Sequence, residues 1–162
     1  MKNLNKTLSL FFVILVIGFS ACNDKQKLQD GPQLKDANIF VTNNYQIIID
    51  ETKFNTVVSD DYTLSNAYIE NDSLKIEVQY GGGCGLATFE LITDGIYMES
   101  DPVQLNVKLS FNDEDDCEAY LTKPISFDLK NLAQHYQNNY QMSSGTMIIH
   151  LQDFSGELHY SF

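Results

Sequence analysis

The sequence predicts an all-β domain: an antiparallel β-sandwich of immunoglobulin-like type, a single domain with at most one short helix. Three observations predict it. Apolar residues recur with a period of two along most of the chain, turn residues interrupt that pattern at short intervals, and only one brief stretch has a helical period. Period-two alternation puts one face of a strand on a core and the other in water. Many short strands with tight turns between them pack as two facing sheets or a barrel.

The chain opens with a segment that stands outside this domain. Lys2 and Lys6 precede an uncharged apolar run from Leu8 to Phe19, and the small residues Ser20 and Ala21 precede Cys22. This is the order of a secretory signal, basic, then apolar, then small. The run of about 12 residues is short of the roughly 20 that span a bilayer, so a cleaved signal is expected at 1–21 rather than a retained anchor. The Gly18-Phe-Ser-Ala-Cys22 ending resembles the bacterial lipoprotein signal family. That resemblance implies that Cys22 takes a diacylglycerol group, becomes the acylated first residue, and tethers the protein to the cell envelope. The outer membrane is the expected site, its two faces left open by the residues that follow the cysteine. Residues 22–36 are polar and punctuated by Gly31-Pro32. They carry too little apolar surface to offset the entropy of ordering and read as a flexible tether. The remainder, 37–162, is long enough for one domain with a real core and too short for two.

Within it, strands are expected at Asn38–Val41, Gln46–Ile49 and Ala67–Glu70. Leu74, Ile76 and Val78 then alternate with Lys75, Glu77 and Gln79. A strand at Thr88–Ile92 follows, and Val103, Leu105, Val107, Leu109 and Phe111 alternate with polar residues. Further strands fall at Ala119–Thr122, Ile125–Leu129, Thr146–Gln152 and Gly156–Phe162. Turn signals separate them at Asn71-Asp72, Asp94-Gly95, Ser143-Ser144-Gly145 and Ser155-Gly156. Leu129–Tyr136, with Asp128 as N-cap, is the one stretch that reads as helix.

Composition narrows the partners. The whole chain carries a net charge of −12, and loss of Lys2 and Lys6 with the signal leaves eight lysines against 22 acids, or −14. It contains no arginine, the residue whose planar fork best holds phosphate. Nucleic acid, nucleotides and anionic lipid surfaces are not the expected partners on this charge. Basic proteins, cations and neutral glycans remain. Tryptophan is absent too, and nine tyrosines are the stacking groups left.

Three cysteines are an odd number for an exported protein. With Cys22 lipidated, Cys84 and Cys117 remain as a pair for a disulfide in an oxidising compartment, with two buried thiols as the alternative. Such a crosslink closes a loop of about 33 residues and adds roughly 3–4 kcal/mol in the chain-entropy account.

Gly81-Gly-Gly-Cys-Gly85 lacks the lysine of a phosphate loop and leads into a strand pattern, so it reads as a bend. The densest chemical feature is Asn112-Asp-Glu-Asp-Asp116. Asn112, Asp113, Glu114 and Asp116 supply hard oxygen ligands of the kind calcium takes, but Cys117 and Lys123 stand where an EF-hand needs Gly and Glu. A Ca²⁺ site outside that pattern stands beside the plainer reading of a solvated hairpin tip. His150 and His159 face outward together, too few for a transition-metal site alone, and His135 reads as a surface residue. No catalytic residues are assigned: neither GxSxG nor HExxH occurs. Only carboxylate pairs, whose spacing is a matter of folding, leave a small hydrolase open.

Residues 74–130 carry a further resemblance. Gly83, Cys84, Phe89 and Leu91, followed by Cys117, Ala119, Phe127, Asp128 and Leu129, are similar to a group of uncharacterised lipoproteins of Bacteroidetes-type bacteria. The resemblance implies a disulfide-stapled core and no activity. The expectation is thus a lipid-anchored, non-catalytic interaction or accessory module with an envelope protein as partner. A ligand- or calcium-binding domain is the alternative.

Overall fold

The structure, a computed structural model, describes residues 45–114 and 116–162. The signal segment, Cys22, the tether and the expected strand at Asn38–Val41 lie outside them. The described chain runs through β1 (Tyr45–Gln46), β2 (Ile48–Ile49), α1 (Glu51–Thr56), β3 (Thr63–Glu70), β4 (Ser73–Gly82) and β5 (Leu86–Met98). It continues through β6 (Val103–Glu114), β7 (Ala119–Asp128), α2 (Lys130–Tyr140), β8 (Thr146–Leu151) and β9 (Leu158–Ser161). Two sheets result, ordered β1-β7-β4-β3 and β2-β5-β6-β8-β9.

Both sheets are built on one long ribbon. β4 opposes β7 from Ser73↔Asp128 to Gly82↔Ala119, and β5 opposes β6 from Leu86↔Glu114 to Met98↔Gln104. The ribbon bends once, across the glycine segment, where Gly82 and Gly83 take φ of 149° and 125°. Side chains rarely adopt such angles, which is why this stretch is glycine. The inner faces of the two arms then meet. Tyr80 lies 4.8 Å from Phe111 and 5.5 Å from Phe89, while Phe89 and Phe111 stack at 4.5 Å. Leu74, Ile76 and Phe127 from one sheet join Leu91, Leu105 and Ile149 from the other in a single buried cluster.

Several expectations are corrected. The sheets are mixed rather than purely antiparallel, because β1–β7, β2–β5 and β6–β8 pair in parallel. β7 and α2 stand between β6 and β8, and a connection of that length returns the chain to its starting end and makes the pair parallel. The described residues include two helices, where at most one was expected. Asp50 caps α1, its carboxylate accepting from the Lys53 N–H at 2.8 Å. α2 extends to Tyr140, and Leu129 occupies the N-cap position while Asp128 Oδ1 accepts from the Lys130 N–H at 2.8 Å. Asp94-Gly95 is a bulge within β5 rather than a turn, shifting the register between Thr93 and Tyr97. Gly95 has φ of 75°, and a Cβ there would lie 2.7 Å from Ile49 Cγ2. The expected strands Ala119–Thr122 and Ile125–Leu129 are one strand that passes through Pro124. β1 reaches only Phe127 and Asp128, so the edge beside Pro124 carries no ladder for its missing N–H to break.

β8 pairs with β6 only as far as Val107. Past that point residues 57–62 cover the β6 edge. The Asp60 N–H donates to Phe111 O (2.9 Å), Ser59 Oγ accepts from the Phe111 N–H (3.0 Å), and Asp60 Oδ2 accepts from the Asp113 N–H (2.7 Å). An otherwise open strand edge is closed by polar side chains, which removes a template for association.

Candidate functional site

Cys84 and Cys117 are joined, with their Cα atoms 6.0 Å apart, a normal span for the bond. They sit where the two arms of the ribbon cross between sheets, and Cys84 is exposed.

The acidic run is not a hairpin tip. β6 continues through Asn112, Asp113 and Glu114. Strand alternation therefore sends Asn112 and Glu114 to one face and Asp113 to the other. Asn112 Nδ2 donates to Glu114 Oε1 at 3.4 Å, while the backbone of Asp113 is engaged by Asp60. Asp116 follows the strand and is exposed. Among the described residues, no three His, Cys, Asp or Glu side chains converge as a metal site. His150 and His159 do face outward on neighbouring strands, offset by the register Ile148↔His159. His150 Nε2 lies 2.6 Å from Gln104 Oε1, and His159 Nε2 lies 3.2 Å from Glu157 Oε2.

Two of the surface depressions bear on function. The first, of about 310 Å³, lies between the edge-covering segment and the end of β8, lined by Asp60, Asp61, Tyr62, Lys108, Gln152 and Asp153. Its cation is already engaged: Lys108 Nζ donates to Phe54 O at 2.8 Å and lies 4.2 Å over the Phe54 ring. Tyr62 donates to Leu109 O at 2.9 Å, and burial, with Asp153 nearby, pushes its hydroxyl up to about 12. Lys108 and Tyr62 are thus spent on holding α1 and the edge segment.

The second, of about 460 Å³, lies where the β5–β6 turn meets the end of α2, and it is the stronger candidate. Tyr136 and Tyr140, one helical turn apart on α2, bring their rings to 4.6 Å. Tyr97 from β5 packs edge-on at 5.9 Å from Tyr136 and 5.6 Å from Tyr140. Phe162 closes on Tyr136 at 5.3 Å. Gly145 makes room for this: a Cβ there would stand 2.5 Å from the Tyr136 ring. Glu99 and Asp101 supply the acidic rim, and the Tyr140 hydroxyl donates to Glu99 Oε1 at 3.2 Å. Desolvation, then the bond to Glu99, raises the Tyr140 pKa and keeps the ring neutral. Met142 lines the cleft and is 53% exposed, while Ile96 and Met98 on β5 are 56% and 40% exposed.

His135, expected as a surface residue, belongs to the same cluster. It is half-buried, its Nδ1 lies 3.0 Å from the Tyr97 hydroxyl, and its ring lies 5.6 Å from the Tyr97 ring. Sequence reasoning missed this site. The signal was present in the spacing Tyr136-x-x-x-Tyr140, but Tyr97 comes from a distant strand and its proximity is a product of folding.

No protein-family model matches the chain, and no curated protein matches it. Solved structures do. A NigD-like immunity protein from Bacteroides caccae is 13% identical with a TM-score of 0.47, over 75% of this chain and 59% of that one. A protein of unknown function from Bacteroides vulgatus is 14% identical with a TM-score of 0.43, over 73% and 55%. A provisionally described lipoprotein from Bacteroides fragilis is 9% identical with a TM-score of 0.39, over 65% and 63%. The chain spans less than two thirds of the length of each. Similarity at this level transfers no role.

Proposed function

We propose that the protein is a lipid-anchored component of the cell envelope, held at the outer membrane through Cys22, whose domain serves as a non-catalytic interaction module for an envelope protein. One observation carries the interaction reading: a cleft lined by Tyr136 and Tyr140, with Met142 53% exposed on it, where the β5–β6 turn meets the end of α2. Aromatic and methionine side chains are the groups that protein interfaces favour at their centres. The scaffold suits that task. The pairing of β5 with β6 and the packing of α2 fix Val103, Tyr136 and Tyr140 on regular elements, which limits the ordering entropy lost there on binding. The signal segment ending at Cys22 supports the anchor, and the disulfide supports an oxidising compartment.

Two experiments test it. Replacing Cys22 with Ser should move the protein from the membrane to the soluble fraction of lysed cells; continued membrane association would remove the lipid anchor from the proposal. Chemical crosslinking on intact cells, followed by capture through a C-terminal tag and mass spectrometry, should yield a reproducible envelope protein joined near Met142. Recovery of the protein alone would shift the weight to small ligands.

A further inference from the structure

We infer that the tyrosine cleft receives a cationic side chain, lysine or arginine, presented by a segment of a partner protein. The inference rests on the interaction reading above and names the chemistry of the occupant. Three properties of the cleft point the same way. Its aromatic lining is Tyr136 and Tyr140, and since Tyr136 is buried under its neighbours, the half-buried Tyr140 ring is the π surface open to an occupant. Cations bind such faces, most strongly where water is partly excluded. Its rim carries the carboxylates of Glu99 and Asp101, both exposed, and no lysine lines it. The side chains of Met142 and Val103 and the ring of Pro102 give the aliphatic stem of a lysine or arginine something to lie against.

The charge of the molecule agrees with this occupant and disfavours others. A net −14 for the chain after Cys22 draws a basic partner in and repels a second copy. Anionic headgroups meet the same repulsion at Glu99 and Asp101. The volume of about 460 Å³ suits a side chain with its flanking backbone better than a lone ion.

The test uses the full chain purified in detergent with its methionine methyl groups labelled for NMR. Met142 lines the cleft, whereas Met147 is fully buried and serves as the internal reference. The probes are tetra-arginine and tetra-lysine peptides, with tetra-citrulline as the uncharged isostere. Saturable movement of the Met142 methyl is expected with the cationic peptides and not with citrulline, while Met147 stays still. Glu99→Gln with Asp101→Asn should weaken binding about tenfold or more, the effect of losing roughly one ion pair's worth of attraction. Tyr140→Leu should weaken it comparably and Tyr140→Phe should restore it, since the ring face and not the hydroxyl is at work. Glu70→Gln with Glu77→Gln removes the same charge from the other sheet and should change affinity less than about twofold.

Equal weakening by both charge-neutralised pairs, or a still Met142 methyl, overturns the inference. So does movement of Met142 by phosphatidylcholine vesicles in place of the peptides, which would make this end a membrane contact. A photocrosslinker at Met142 separates the two readings in cells. An envelope protein still captured by the Glu99→Gln, Asp101→Asn variant keeps the interaction module and overturns the cationic occupant. No capture by either form overturns the module as well.

Discussion

Phe111 is the side chain on which the two sheets most depend. It is 1% exposed, stacks on Phe89 within its own sheet, and meets Tyr80 from the other. Truncation to alanine removes an aromatic ring from a site that cannot collapse, so Phe111→Ala should cost about 3–5 kcal/mol, read from urea unfolding. Its place was legible from the sequence, as the last apolar member of the Val103–Phe111 alternation. Gly145 was legible only as a turn residue. Folding gives it a second duty, since its bare Cα is what lets the Tyr136 ring lie against the backbone. Gly145→Ala should therefore destabilise by about 1–3 kcal/mol, as overpacking does, and should displace the Tyr136 ring resonances. Unchanged stability and unmoved ring signals would show that the ring has another place to go.

At the scale of elements, the strands announced themselves and their pairing did not. Alternation in Leu74–Gln79 and Val103–Phe111 identifies two strands and the face each buries, because the pleat has a period of two. It is silent on which strand lies beside which. Asp94-Gly95 has turn chemistry and was read as a turn, yet the chain spends the positive φ of Gly95 on a bulge that lets β5 run on. α1 escaped notice for a different reason. At six residues it is too short to show a helical period, and only Asp50 ahead of Glu51 hints at its start. The disulfide was expected from the cysteine count, but its position at the bend of a shared ribbon emerged only on folding. Replacing both Cys84 and Cys117 with serine should lower stability by about 3–4 kcal/mol in urea titration, since the unfolded chain regains its loop entropy. A change below about 1 kcal/mol would mean that the ladders on either side already restrain the bend in the unfolded ensemble.

For the molecule as a whole, charge and tyrosine chemistry set the response to pH. Burial raises the hydroxyl pKa of Tyr62 to about 12 from 10.0, and burial also raises Tyr97 and Tyr160, the latter helped by its bond to Asp72. Each folded-state value lies above its unfolded one, so the protonated hydroxyls contribute stability in full below the unfolded value. That contribution is lost as pH rises from 10.0 through about 12. Urea midpoints should hold level up to roughly pH 9.5 and fall steeply beyond it, with a shallower fall in Tyr160→Phe, which has no proton to lose. An identical slope in that variant would remove Tyr160 from the account. The bent ribbon bears on something else again, the way this chain comes into being. Because one hairpin supplies the middle of both sheets, neither sheet is a unit that assembles first and waits for the other. The chain has no half that stands alone, and until residues 73–128 are all free to pair its core does not exist. A chaperone would meet it as an open strand or as a finished domain, with little in between.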